Sequence, residues 1–395
     1  MKKFTPAGLF ILVRLVLFLS LPVEGLRGYG DLVHFYRLAE MGWPFLDLWV
    51  EFPPIFPFIS RLIYFLSAGR EHTYDYLLVI VLTLAQAGSI ALFIRISSRV
   101  HDEDGSRKRT WVYFAILVGL AYGWWYFDPL AVLAMLLALM WVLEGHDKRA
   151  GLAIAGGMLI KWFPVFVLGV TWRYRPIRRA VVMTIIAIGI VTLVFSALYL
   201  LSPEMVKASL LSQSSKGSWE TVWALIDGNL HTGNFGPEVD RFDPVTAFSS
   251  RGNPSRVSPW LTLTFFAALG AWVFWKAKHK NVGQENDKRA IAFLGLVWCL
   301  FLLWSPGYSP QWVLYLLPLI LLALPLRTGM LMAIVLVLVS LMEWPVMLSR
   351  GYFEGLWLVI PLRVILSILL ALEFWFVVRK KRLNVKNPTN RDKNG

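Results

Sequence analysis

Between positions 28 and 54 the chain crowds groups capable of proton and ion chemistry among aromatic residues: Asp31, His34, Arg37, Asp47 and Glu51. An ionised carboxylate here can take a proton from an attacking hydroxyl. Asp31 follows Gly30 and suits a helix N-cap equally well, so Asp47 and Glu51 stay open as alternative bases. His34 lies three residues after Asp31, on the same face of a helix. It can orient Asp31 or an acceptor, or sit solvated. Arg37 can bind an anion, although arginines on interfacial helices are common.

Three further places carry similar groups. Asp128 precedes Pro129 and is either a cap or a site residue. Lys161, in Lys161-Trp162-Phe163-Pro164, can hold a phosphate, or can reach from a helix end to lipid headgroups. Tyr308 and Gln311 belong to the turn Trp304-Ser305-Pro306-Gly307-Tyr308-Ser309-Pro310-Gln311, where they can bind sugar or phosphate or simply build the turn. Oxygen ligands from Asp31, Asp47 and Glu51 suit a hard divalent cation, but the chemistry works without one, and no other cofactor is expected. His101-Asp102-Glu103-Asp104 has a metal-like composition, yet basic neighbours make it a solvated charged loop. No Walker loop, dinucleotide fingerprint or His-Glu-x-x-His pattern occurs. Cys299 is the single cysteine, so no disulfide forms within the chain.

These groups need a scaffold, and the composition names it. Hydrophobic residues make up 57% of the 395 and charged residues 16%, well away from a soluble domain. Apolar runs at 6–22, 76–98, 110–125, 128–144, 150–172, 179–201, 259–276, 289–304, 311–326, 328–346 and 358–378 predict an all-α integral membrane protein with about 11–12 transmembrane or half-spanning helices. Arg14 interrupts the first run and no small-residue cleavage site follows, so that run reads as a membrane helix. Arg14 is costly in mid-span unless it meets protein or lipid phosphate; Glu343 is one conceivable partner.

The net charge of +14 sits in short loops, which is a topology signal and argues against nucleic acid. The loops 99–109, 148–149, 173–179 and 276–289 and the tail from Arg379 should share the cytoplasmic side. For that to hold, 150–172 must enter and return on one side, as two short helices broken at Lys161–Pro164. Likewise 53–68 becomes an interfacial helix. Both termini are then cytoplasmic. Segments 23–75 and 202–258 are outer loops of a single domain spanning 1–378, followed by a basic tail over 379–395. The 202–258 stretch, rich in Gly, Ser, Asn and Asp, is expected to be irregular or short-helical and partly mobile.

The order Gly30-Asp31, Gly42, Pro44-Phe-Leu-Asp47, then Glu51-Phe52-Pro53-Pro54 after a first span resembles the C-type glycosyltransferases. Phe127-Asp128-Pro129, Lys161-x-x-Pro164 and Trp304–Gln311 strengthen the likeness. It is nearest the bacterial branch of polyprenol-phosphate-mannose-dependent mannosyltransferases, the family-87-like group, and covers about residues 1–180 and 290–330. The resemblance implies a GT-C-like bundle that moves a hexose, mannose above all, from a polyprenyl phosphate to a lipid or glycan acceptor outside the cytoplasm, with inversion. It also implies Asp31 as catalytic base and Lys161 as phosphate ligand. His34, Arg37, Asp47, Glu51, Asp128, Tyr308 and Gln311 would contact substrate. The rival class is a secondary transporter or lipid-linked sugar flippase, which would show paired broken helices and midplane charges; a non-catalytic assembly subunit is a third.

Overall fold

The computed structural model describes residues 5–233, 235–277 and 283–379. Met1-Lys2-Lys3 and nearly all of the expected basic tail lie outside them. Eighteen helices follow one another, and no strand occurs among the described residues. In the first half these are α1 (Thr5–Ser20), α2 (Val23–Arg27), α3 (Leu32–Met41), α4 (Ile55–Leu66), α5 (Glu71–Val100), α6 (Glu103–Gly119), α7 (Tyr122–Trp125), α8 (Asp128–Glu144) and α9 (Asp147–Ile160). In the second half come α10 (Phe166–Tyr174), α11 (Ile177–Leu201), α12 (Pro203–Leu211), α13 (Val222–Asp227), α14 (Pro259–Lys276), α15 (Gln284–Trp304), α16 (Val313–Ala323), α17 (Leu326–Leu341) and α18 (Leu356–Arg379). This is an all-α polytopic membrane protein.

Four helical stretches are long and apolar enough to cross a bilayer: Glu71–Val100, Ile177–Leu201, Leu326–Arg350 and Phe353–Arg379. The remaining apolar runs are helical too, but shorter or charged at one end. Run 110–125 stops at Gly119 and restarts as α7, while 53–68 shrinks to the twelve residues of α4, too short to span. Every residue of α16 is buried. At the periphery the pattern inverts: Leu200 is 83% exposed and Trp260 77%. Large apolar side chains turned outward in this way suit lipid rather than water.

The basic loops gather at one end of the bundle. Arg99 Nε meets Asp287 Oδ2 at 2.5 Å and Arg175 approaches the other oxygen of the same carboxylate at 4.0 Å. Arg179 pairs with Asp147, and Arg95 with Glu144. Since α9 starts at Asp147 and α10 finishes beside Arg175, both ends of the 150–172 segment lie there. The segment is therefore a re-entrant pair. Lys161 ends α9 in extended conformation, and Phe163–Val165 makes a single 3-10 turn into α10.

Arg14 is fully buried against protein, and Glu343 is not its partner. Its guanidinium donates to Leu117 O at 2.5 Å and lies 4.2 Å from the Trp124 ring centre. Glu343 pairs instead with Arg363, at 2.8 and 3.1 Å. In the charged 101–104 loop, Asp102 caps α6 by accepting from Gly105 N, and Asp104 pairs with Arg107 and Lys108.

Candidate active site

At the opposite end from the basic loops, a cavity of about 610 Å³ opens between the first loop, the Lys161 turn, the 202–258 segment and the 305–312 turn. That volume falls in the ordinary range for small-molecule sites. Asp31, His34, Glu51, Lys161 and Gln311 all line it.

Asp31 stands immediately before α3, and its backbone N–H is tied to Trp125 O at 3.0 Å. Its side chain makes no cap hydrogen bond. Among the described residues the carboxylate has no hydrogen-bond or ion-pair partner, and it faces the cavity. Burial, against partial compensation from His34 and with further pressure from Glu51, lifts its pKa to about 6.

Glu51 is differently placed. Arg241 grips it through both guanidinium nitrogens, at 2.5 and 3.3 Å, and both residues are buried. Burial pushes its pKa up, but Arg241 and His34 outweigh that and hold it well below the usual carboxylate range. His34 bridges two acids, with Nε2 3.4 Å from Glu51 and Nδ1 3.3 Å from Glu238. Burial works against its charge, yet the bond and charge of Glu51, with Asp31, raise its pKa. Of the three carboxylates on this cavity wall, Glu51 and Glu238 are paired and Asp31 is available.

Lys161 gives two hydrogen bonds to Asp128, at 2.8 and 2.9 Å. Asp128 begins α8 without a side-chain cap bond and is buried, so its carboxylate serves to hold Lys161 on the cavity wall. Three expected contacts lie elsewhere. Arg37 is 58% exposed and reaches Glu238 at 3.7 Å, outside the cavity lining. Asp47 is exposed and fastens its own turn by accepting from Trp43 N at 2.8 Å. Tyr308 is buried under Arg363, whose guanidinium carbon is 3.4 Å from its ring centre. Asp47 lies outside the cavity lining and Glu51 is paired to Arg241, so these two acids do not converge with Asp31; among the described residues no group of three His, Cys, Asp or Glu is placed to hold a metal ion.

The 202–258 segment carries the short helices α12 and α13 amid irregular stretches. It docks on the first loop around the buried Trp49, whose indole N–H is offered to Asp240 O, Asp243 O and Thr246 Oγ1 at 3.1–3.2 Å. Its polar residues bond one another: Ser218 donates to Asp227 at 2.6 Å, and Asn229 to Ser218 at 3.1 Å. Side-chain donors and acceptors at close spacing thus replace the missing periodicity. Residues 215–221 lie against the 305–308 turn, with Trp219 N donating to Pro306 O and Tyr308 N to Trp219 O, each at 3.1 Å. This puts Lys216, Trp219 and Arg241 on the cavity wall, none of which any motif singled out.

Trp219 packs flat over Gly307, where an added Cβ would fall 2.2 Å from the indole. Gly307→Ala should therefore lift the 215–221 segment, with an overpacking cost of roughly 1–3 kcal/mol. Limited proteolysis within 202–258 should accelerate; wild-type cleavage rates would remove the docking role of this glycine.

A family model for glycosyltransferase family 87 matches residues 51–306, more than half of the chain. The chain belongs to glycosyltransferase family 87. No protein of curated function and no solved structure matches it. Family membership makes this membrane protein a glycosyltransferase. The matched region takes in Glu51, Asp128, Lys161, Lys216 and Arg241 but begins twenty residues after Asp31 (51 − 31 = 20). Asp31 lies ahead of the matched region, in the loop that carries the resemblance and on the cavity wall.

Proposed function

We propose that this family-87 enzyme transfers a hexose, with mannose the first candidate, from a polyprenyl-phosphate sugar to a lipid or glycan acceptor on the extracytoplasmic side of the cell membrane. The observation carrying this reading is the unpartnered Asp31 carboxylate facing a cavity large enough for a sugar. Its pKa near 6 suits a base that must be ionised near neutrality yet still attract a proton. Asp31 takes the acceptor hydroxyl's proton as that oxygen attacks the anomeric carbon. The bond from that carbon to the donor phosphate breaks, and its electron pair stays on phosphate. One displacement inverts the anomeric centre. Because the departing phosphate is a stable anion, no second carboxylate is needed as acid, unlike in glycoside hydrolysis.

His34, held by Glu51 and Glu238, keeps a positive or polar edge beside Asp31. Gln311 supplies an amide to the same cavity. Lys161 presents its ammonium with two donors already committed to Asp128. The clustering of basic loops at the far end supports cytoplasmic placement of that end and of both termini.

Purified protein in lipid, given radiolabelled polyprenyl-phosphate mannose and a membrane-lipid extract, is expected to move label to acceptor. Parallel donors carrying glucose and arabinose identify the sugar. If wild type transfers none of the three, while vesicles containing it accumulate or release labelled lipid-linked sugar, the transporter reading takes its place.

A further inference from the structure

Of the charged side chains on the cavity wall, Asp31 and Lys216 alone lack an ion-pair partner among the described residues. Lys161 is neutralised by Asp128, Arg241 by Glu51, and Glu238 is shared by His34 and Arg37. A single cavity is therefore left with one free negative and one free positive group. We infer that the Lys216 ammonium binds the phosphate of the donor and balances the charge this phosphate gains on departure, an assignment that rests on the transfer reading above.

The charge count supports it. A polyprenyl-phosphate sugar is a phosphodiester with one negative charge. Once its bond to the anomeric carbon breaks, the electron pair remains on phosphate and the product is a monoester with two. The proton released by the acceptor goes to Asp31. One extra negative charge thus develops at phosphate, and a cation fixed there in advance stabilises the transition state. Lys161 keeps a third donor, but Asp128 already neutralises its charge, whereas Lys216 has no carboxylate partner among the described residues.

The local structure holds Lys216 ready. Gly217 N donates to Arg251 O at 2.6 Å and Arg251 N to Ser215 O at 3.0 Å, while Trp219 is pinned to the 305–308 turn. The ammonium lies 4.3 Å from the Trp219 ring centre and 4.0 Å from that of Phe235. Two aromatic faces keep an unpaired cation in place without neutralising it. Burial lowers the Lys216 pKa to about 8, against Glu51, Glu220 and Asp31, which raise it, and with Arg241, which lowers it further.

The test measures binding apart from turnover. Purified protein is titrated with farnesyl phosphate and with farnesol, read by intrinsic tryptophan fluorescence. Wild type is expected to prefer the phosphate. Lys216→Met should weaken farnesyl phosphate on the order of 10–100-fold, as for loss of a charged hydrogen bond, and leave farnesol unchanged. Lys216→Arg should restore most of the affinity. Wild-type affinity for the phosphate should also fall as pH rises through about 8, and Lys216→Arg should not show that fall. Glu220 faces both versions alike, so the contrast isolates residue 216. Should Lys216→Met lose farnesol as well, its fold is damaged and the pH contrast between wild type and Lys216→Arg decides alone. Equal phosphate binding by Lys216→Met and wild type, or identical pH profiles of wild type and Lys216→Arg, overturns the assignment. If sugar transfer by wild type is intact in that case, the transfer reading stands without it.

Discussion

Asp31→Asn lowers sugar transfer by a factor on the order of 10²–10⁴, the usual contribution of a positioned general base, and leaves a folded protein. The asparagine keeps the shape and removes only the proton acceptor. In wild type, kcat/KM should rise with pH through about 6, because the base works only when ionised and burial holds its pKa there, and should fall again above about 8 as Lys216 loses its proton. The stability effect has the opposite sign. A carboxylate whose folded pKa is raised binds its proton more tightly in the folded state, so ionising it destabilises the fold. That penalty grows from the ordinary carboxylate range up to about pH 6 and is constant above. Asp31→Asn escapes it, and at neutral pH should melt no lower than wild type. Inactivity with unchanged or raised thermal stability marks a catalytic group; inactivity with a large fall in stability would assign Asp31 to the fold instead.

Arg241→Met lowers stability by about 3–5 kcal/mol, the cost of leaving one half of a buried ion pair. Glu51 is buried and would retain only His34. The guanidinium also lies 4.1 Å from the Trp49 ring centre, so packing is lost as well. This one side chain joins the first loop to 202–258, and removing it should loosen both walls of the cavity. Chemical unfolding in detergent measures the loss. In the double variant Glu51→Leu with Arg241→Met most of the stability should return, since an apolar pair can replace a buried ionic one. A single variant as stable as wild type would show that Arg241 does not hold the loops together. The depressed pKa of Glu51 fixes the sign with pH: the pair's contribution is present above the ordinary carboxylate pKa and is lost only as pH falls through the lower folded value. Mild acidification should leave it intact.

Much of the scaffold was legible because its signals are local. Apolar run length placed the helices. Pro164 following Lys161 marked the break between α9 and α10, and the spacing of basic loops required that break to be a re-entrant turn. Asp31 was legible as a candidate, but its choice between cap and base was not. Both readings need the same residue type before a helix, and only the direction of the carboxylate separates them. Asp47 and Glu51 illustrate the same limit. They are neighbours in one loop, yet one fastens a surface turn and the other is clamped by an arginine 190 positions away.

By itself, then, the amino-acid order determined an all-α membrane bundle, the end of it that carries the carboxylates, and the re-entrant turn that lifts Lys161 to that end. Hydrophobic length, proline sterics and charge bias act over a few turns of chain and can be read there. Tertiary structure alone decided which charges cancel: Lys161 with Asp128 and Glu51 with Arg241, leaving Asp31 and Lys216 without an ion-pair partner among the described residues. Ion pairing depends on distance in space and on exclusion of water, and here both arise only when the 202–258 segment closes over the first loop.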